Sequence, residues 1–191
     1  AALRSLTSDE RQLVSVLFAD VSGFTDLSER HDPEEVQALL ARLWRRLDRV
    51  IQAHRGHIDK HIGDAVMAVW GLTSAGEGDA IDAVRAGLAL LAEVESFRRD
   101  ERVELGMRVG INTRLASISR VESTGESNVI GDTVNVASRL EHAASVGSVL
   151  IGTVTAEHVR ERFVLETLER IAVKGKRDRV GASLVTRERG G

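Results

Sequence analysis

Asp20 and Asp64 have the plainest capacity for chemistry in this sequence. Asp20 closes a short apolar run, LVSVLFA at residues 13–19, and Asp64 sits in a Gly63-Asp64 turn between two strand-like stretches. Two carboxylates with open coordination positions suit Mg²⁺, which keeps several waters and accepts phosphate oxygens as further ligands. Aspartate is also an ordinary turn residue, so either one alone carries little weight. Their surroundings add to it. Asp20 is followed by Val21-Ser22-Gly23-Phe24-Thr25, and a glycine between a strand and a helix start can aim backbone N–H groups at a phosphate. The segment lacks the spacing of a Walker A loop. Four residues before Asp64 stands Lys60. Of the 26 basic residues, only Lys60, Lys174 and Lys176 are lysines. Lysine is a compact point charge whose role at a tight site arginine does not copy. Further along, Asn135 and Arg139 are four apart and share one helical face. An amide and a guanidinium so placed can meet a ribose and a phosphate, although a polar helix edge is the plainer reading.

The elements that must position these residues follow from periodicity. Residues 13–19 predict a buried strand. Asp32 predicts a helix N-cap, with Pro33 at N1 and Glu35 at N3. The helix then runs to about residue 54, with Val36, Leu39, Leu40, Leu43, Trp44, Leu47, Val50 and Ile51 as one apolar stripe ended by Gly56. Residues 57–62 and 65–70 predict a hairpin, and 78–98 a second helix. Strands follow at 103–112 and 115–121, then a loop at 122–127 and a helix at 132–145. A strand (148–151), a short helix (154–161) and two strands (163–172, 180–186) complete the chain. The order of the first half matches the ferredoxin-like β-α-β-β-α-β unit. The expected fold is α+β: a ferredoxin-like core with a mainly antiparallel sheet, helices on one face, and extra C-terminal strands and helices. The expected division is an N-terminal linker at 1–11, one domain at 12–186, and a tail at 187–191.

Composition narrows the function classes. With 42% hydrophobic and 29% charged residues over 191 positions, the chain can bury one substantial core. It has no cysteine, which excludes disulfides, thiolate metal sites and cysteine nucleophiles and fits a cytoplasmic location. A net charge of −3 with mixed signs gives no footprint for nucleic acid. No apolar run approaches the roughly 20 residues of a membrane span. No secretory leader is expected.

Five segments together resemble the class III adenylyl/guanylyl cyclase catalytic domain. They are FADVSGFTDLS, RGHIDKHIGDAVMAVWG, MRVGIN, VIGDTVNVASRLE and VKGK, in that family's order and spacing, covering about residues 12–186. The resemblance implies conversion of ATP to cyclic 3′,5′-AMP and pyrophosphate. By it, Asp20 and Asp64, with the backbone carbonyl of Val21, hold two Mg²⁺ or Mn²⁺ ions per site. Gly23, Phe24 and Thr25 lie against the β- and γ-phosphates, and Lys174, ahead of Lys176, contacts the terminal phosphates. Asn135 orients the ribose, and Arg139 stabilises charge on the α-phosphate. Lys60 and Asn128 read the base. A lysine donor suits the adenine N1 acceptor and opposes the protonated N1 of guanine. The family forms its sites between two catalytic domains. This chain carries both residue sets, which implies a head-to-tail homodimer, joined to additional domains in a longer protein.

Two positions depart from the family pattern. Asn128 replaces the usual Asp or Thr of adenylyl cyclases and can serve either adenine or guanine. Arg114 stands where many relatives have glycine, and a bulky residue there is expected to shift the following strand if the backbone is unusual. These departures keep an alternative in view, a catalytically weak or inactive cyclase-like nucleotide-binding module that regulates a neighbouring domain. A diguanylate cyclase is disfavoured because the GGDEF turn is absent.

Overall fold

A computed structural model describes residues 10–73, 75–120, 127–171 and 180–190. In chain order the elements are β1 (Glu10–Ser22), α1 (Phe24–Arg30), α2 (Pro33–Ala53), β2 (His57–Ile62), β3 (Ala65–Trp70), α3 (Asp79–Glu101), β4 (Gly106–Arg120), β5 (Ser127–Ile130), α4 (Asp132–Ala143), β6 (Ser148–Gly152), α5 (Thr153–Val159), β7 (Phe163–Ile171) and β8 (Val180–Glu188). The strands form one sheet in the order β2-β3-β1-β4-β6-β8-β7, with β5 paired to the far half of β4.

The four strands β2-β3-β1-β4 are mutually antiparallel and reproduce the expected ferredoxin-like core. The whole sheet is mixed rather than mainly antiparallel, because β6 runs parallel to β4. The long β4–β6 connection carries α4, which returns the chain to the end from which β4 started. The expectation of helices on one face also needs correction. Residues of α2, α3 and α5 pack with Leu17, Ala19, Val109 and Ile111 on one face. α4 covers the other, where its Ala137 packs with Val14, Val16 and Phe18.

Strand alternation produces this division. Along β1, Leu17, Ala19 and Val21 face the α2–α3 layer, while Val16, Phe18 and Asp20 face the α4 side. α2 buries Val36, Leu39, Leu43, Leu47 and Ile51 at helical spacing. Asp32 and Pro33 do start this helix, but by backbone alone: the Val36 N–H donates to the Asp32 carbonyl, and the Asp32 side chain makes no cap bond. Leu43, Leu47 and Ile51 are fully buried, so truncating one to alanine costs about 2–5 kcal/mol.

Three further differences from the sequence expectation concern the site. The Val21–Thr25 loop is short, and Phe24 already begins α1, a helix the periodicity did not reveal. The predicted strands 103–112 and 115–121 are one continuous strand, β4. Arg114 therefore lies in regular extended backbone opposite Val14, and its guanidinium pairs with Asp132 at 3.0 Å. Among the described residues, only Arg55 and Arg102 are non-glycine residues with positive φ, so Arg114 is not strained.

Candidate functional site

β1 and the β2–β3 hairpin bring the two aspartates together. Asp20 pairs with Ala65 in the β1–β3 register, one residue past Asp64. The Val21 N–H donates to the Asp64 carbonyl at 2.9 Å, which ties the hairpin turn to the end of β1. Burial, and next the charge of Asp20, push the Asp64 carboxyl above its ordinary value. A cation stands beside Asp20.

The cation beside them is one the sequence reading missed. Arg108 of β4 lies directly across from Asp20 in the β1–β4 register, and its Nη2 donates to Asp20 Oδ2 at 2.8 Å. The Arg108 Nε faces Glu141 Oε1 of α4 at 3.5 Å. That approach is an ion pair by distance, but the geometry is not a hydrogen bond, and both atoms are buried without a hydrogen-bond partner. Glu141 is 3% exposed, and its Oε2 lies 2.9 Å from His142 Nδ1. Burial raises the Glu141 carboxyl above its usual value, and the His142 charge partly opposes the shift. A signal for both residues existed: Arg108 lies in the MRVGIN segment, and Glu141 interrupts the buried stripe of Val136, Leu140 and Ala144.

α4 is seated by two features of β4. The Asn112 amide donates to Thr133 Oγ1 at 3.3 Å, with both residues buried. Gly110 leaves room for the helix backbone. Val136, Ala137, Leu140 and Glu141 face inward, so Asn135 is exposed and Arg139 half-buried on the outer flank, as i and i+4 on one face. Arg139 Nη1 is buried without a hydrogen-bond partner. Within the chain Asp20 pairs with Arg108, which in turn faces Glu141, and among the described residues no hydrogen bond or ion pair joins either aspartate to Asn135 or Arg139.

The remaining predicted residues are distributed as follows. Gly23 is the left-handed N-cap of α1 (φ 89°), and Phe24 and Thr25 form its first turn. A Cβ at Gly23 would stand 2.6 Å from the Glu104 carbonyl oxygen, so both conformation and space require glycine. Val21 is buried beside Asp20. Lys60 lies on β2 with its side chain half exposed, and its Nζ is 3.0 Å from Asp59 Oδ2. Neighbours on a regular strand point to opposite faces, but the β2–β3 register shifts between Ile58 and Lys60. Asn128 lies in β5 opposite Ser119. Lys174 and Lys176 fall outside the described residues.

The donor set suits a hard divalent cation. It offers two neighbouring carboxylates, a set that Mg²⁺ takes together with phosphate oxygens and water. Among the described residues there is no group of three or more His, Asp or Glu that could hold a metal ion. Among the described residues, no helix is long and apolar enough to cross a membrane.

Comparison with known proteins identifies the family. Residues 6–185 match the family described as the adenylate and guanylate cyclase catalytic domain. The chain is 38% identical to adenylate cyclase 1 of Rhizobium meliloti (strain 1021) over 69% of its own length and 21% of that protein's. It is 32% identical to an adenylate cyclase of Mycobacterium bovis over 91% of its own length and 39% of that protein's. The chain therefore spans well under half of these relatives. The crystal structure of the adenylyl cyclase CyaB from P. aeruginosa superposes with a TM-score of 0.89 at 31% identity, covering 96% of this chain and 98% of that one.

Proposed function

Because this chain belongs to the adenylate and guanylate cyclase catalytic domain family, we propose that it converts ATP to cyclic 3′,5′-AMP and pyrophosphate. The observation that carries this reading is the placement of Asp64 beside Asp20 at the end of β1, where Asp20 pairs with Ala65 and the Val21 N–H donates to the Asp64 carbonyl. The ribose 3′-oxygen bonds to the α-phosphorus as the bond to the bridging oxygen of the β-phosphate breaks. Pyrophosphate departs, and the hydroxyl proton is released.

Asp20 and Asp64, with the Val21 carbonyl, are the groups that would hold two ions of Mg²⁺ or Mn²⁺. When bound, the ions supply charge neutralisation along the triphosphate and a more acidic 3′-hydroxyl. The other steps belong to the chain's own side chains. Asn135 orients the ribose by its amide. The Arg139 guanidinium neutralises charge growing on the α-phosphate, and its unpartnered buried Nη1 supports such a role. Lys60 donates to adenine N1, and Asn128 meets the exocyclic amine. Gly23, Phe24 and Thr25 offer first-turn N–H groups to the β- and γ-phosphates, and Lys174 offers its ammonium.

One chain carries both the aspartates and the Asn135–Arg139 face, and among the described residues no hydrogen bond or ion pair joins the two sets. Carrying both sets supports a head-to-tail homodimer in which each site takes its aspartates from one chain and Asn135 and Arg139 from the other. The fraction of the relatives' length that the chain spans supports further domains in a longer protein. Consumption of ATP fits a cytoplasmic setting.

The deciding experiment incubates the purified domain with ATP or GTP and Mn²⁺ across a range of protein concentrations. Cyclic AMP from ATP, rising more than linearly with protein concentration, is the expected result. Cyclic GMP alone would overturn the substrate, and no product from either would favour a non-catalytic nucleotide-binding module.

A further inference from the structure

We propose that Asp59 is a positioning residue for base selectivity: a β-bulge sets it on the same face as Lys60, and it holds the lysine ammonium where the nucleotide base is read. The inference rests on the proposed reading of Lys60 as the donor to adenine N1. Asp59 does not touch the base in this scheme and acts only through Lys60.

The β2–β3 register brings the two side chains together. Ile58 pairs with Ala68 and Lys60 with Met67, so Asp59 is one residue more than β3 can match. Residues opposite one another in an antiparallel pair share a face. Ala68 and Val66 belong to the core beneath α2 and α3, and Met67 to the cluster on the α4 side. Lys60 therefore faces the α4 side, the face that β1 also gives to Asp20, while Ile58 and His61 face α2. In a regular strand Asp59 would stand opposite Met67, and Lys60 opposite Val66 would turn toward α2. The extra residue moves Lys60 to the face of Asp20. His61 fixes this arrangement from the other side. Its Nε2 lies 3.0 Å from Asp48 Oδ1 of α2, and its ring packs edge-on against Trp44 with centroids 4.8 Å apart.

The bulge also accounts for a buried carboxylate. The Asp59 side chain is 7% exposed, and its Oδ2 lies 3.0 Å from Lys60 Nζ. Among the described residues, no other cation comes within ion-pair distance of Asp59. A buried carboxylate without a cation is costly, so Asp59 is matched to Lys60. The Lys60 side chain stays half exposed, and its ammonium carries three donors. It can rest against Asp59 and still present a donor to a base. A free lysine samples many rotamers, and one tethered at its tip has lost that freedom before nucleotide arrives. The contact with adenine N1 then costs less ordering. Asn128, the second base-reading position, carries no charge and cannot supply this anchor.

The test measures binding of the α,β-methylene analogues of ATP and GTP, with Mn²⁺, by titration calorimetry. These analogues cannot cyclise, because carbon replaces oxygen at the bond that breaks, so base preference is read apart from turnover. Wild type should favour the adenine analogue, and Lys60→Met should abolish the preference. Asp59→Asn, nearly the same shape without the charge, should reduce the preference by roughly fivefold, between the worth of an exposed and a buried ion pair. In the Lys60→Met background, Asp59→Asn should change nothing further. If Asp59→Asn leaves the preference unchanged or raises it, or weakens both analogues equally, the inference is wrong while Lys60 keeps its role. Should Asp59→Asn fail to fold, Asp59→Ser decides by the same criterion. A wild type without preference, or a preference that survives Lys60→Met, overturns the reading of Lys60 itself and the inference with it.

Discussion

Gly110 of β4 lies directly beneath Glu141 of α4: a Cβ added at Gly110 would stand 2.1 Å from the Glu141 amide nitrogen and 2.4 Å from the Ala137 carbonyl oxygen. α4 therefore rests backbone against backbone on the sheet, and the position of Asn135, Arg139 and Glu141 depends on that contact. Gly110→Ala must push the helix outward, because backbone cannot yield as a side-chain end can. The expected loss is about 1–3 kcal/mol of unfolding free energy by urea titration. Cyclase activity should fall further than the folded fraction does. An unchanged midpoint would show that α4 is not seated on Gly110.

The shared-site proposal predicts complementation. Asp20→Ala and Arg139→Ala should each be inactive alone, since each homodimer lacks the same group in both sites. In a mixed dimer one site loses both groups and the other keeps both. Mixing should therefore restore activity, with up to a quarter of wild-type sites intact by counting random dimers. If heterodimers form and the mixture stays inactive, the two residue sets do not serve one site across the dimer.

Lys60 predicts base selectivity, and its neighbour Asp59 predicts an asymmetry. Lys60→Glu replaces a donor to adenine N1 by an acceptor for the guanine N1–H. The new carboxylate would also face Asp59, whose carboxylate now lies 3.0 Å from the Lys60 ammonium and is 7% exposed. ATP turnover should fall by roughly 100-fold in kcat/KM, while GTP turnover rises by much less. An unchanged ATP-to-GTP ratio would remove Lys60 from base reading.

A pH-dependent clamp joins α3 to the end of β8. Arg85 Nε donates to Glu188 Oε1 at 2.9 Å, and this bond holds the Glu188 carboxyl below its ordinary value of 4.5. A carboxyl whose folded pKa is lowered stabilises the fold fully above its unfolded pKa. It loses that contribution as the pH falls through the folded value. Wild type should therefore melt above Arg85→Gln at pH 7, and the two should converge in acid. The side chains are 38% and 39% exposed, so solvent screening keeps the difference below about 1 kcal/mol. Added salt should shrink it. A difference that persists with Glu188 protonated would assign the effect to packing.

Where local signals and tertiary packing agreed, the sequence was readable. The strands at 57–62 and 65–70 and their Gly63-Asp64 turn stand where alternation and turn chemistry predicted them. The α2 stripe appears as expected because a helix of that length must bury its apolar face. The break expected near Thr113 does not exist. Asn112 carries the polarity of a turn residue, but here its amide is spent on Thr133 beneath α4. α1 was missed because seven residues with one buried apolar side chain, Leu27, leave no periodicity to detect.

Residue types and local spacing determined the family, the two aspartates, and the common face of Asn135 and Arg139. These depend on repeats of two and 3.6 residues, which any segment displays by itself. Tertiary structure alone decided that Asp20 stands across from Arg108, 88 residues later in the chain. It also decided that Glu141 closes the same cluster from α4. Those positions follow from the β1–β4 register and from how closely α4 approaches Gly110. Register is set by burying one whole face of a sheet and not by any short stretch of sequence, so the charge that balances the aspartates became visible only in the folded chain.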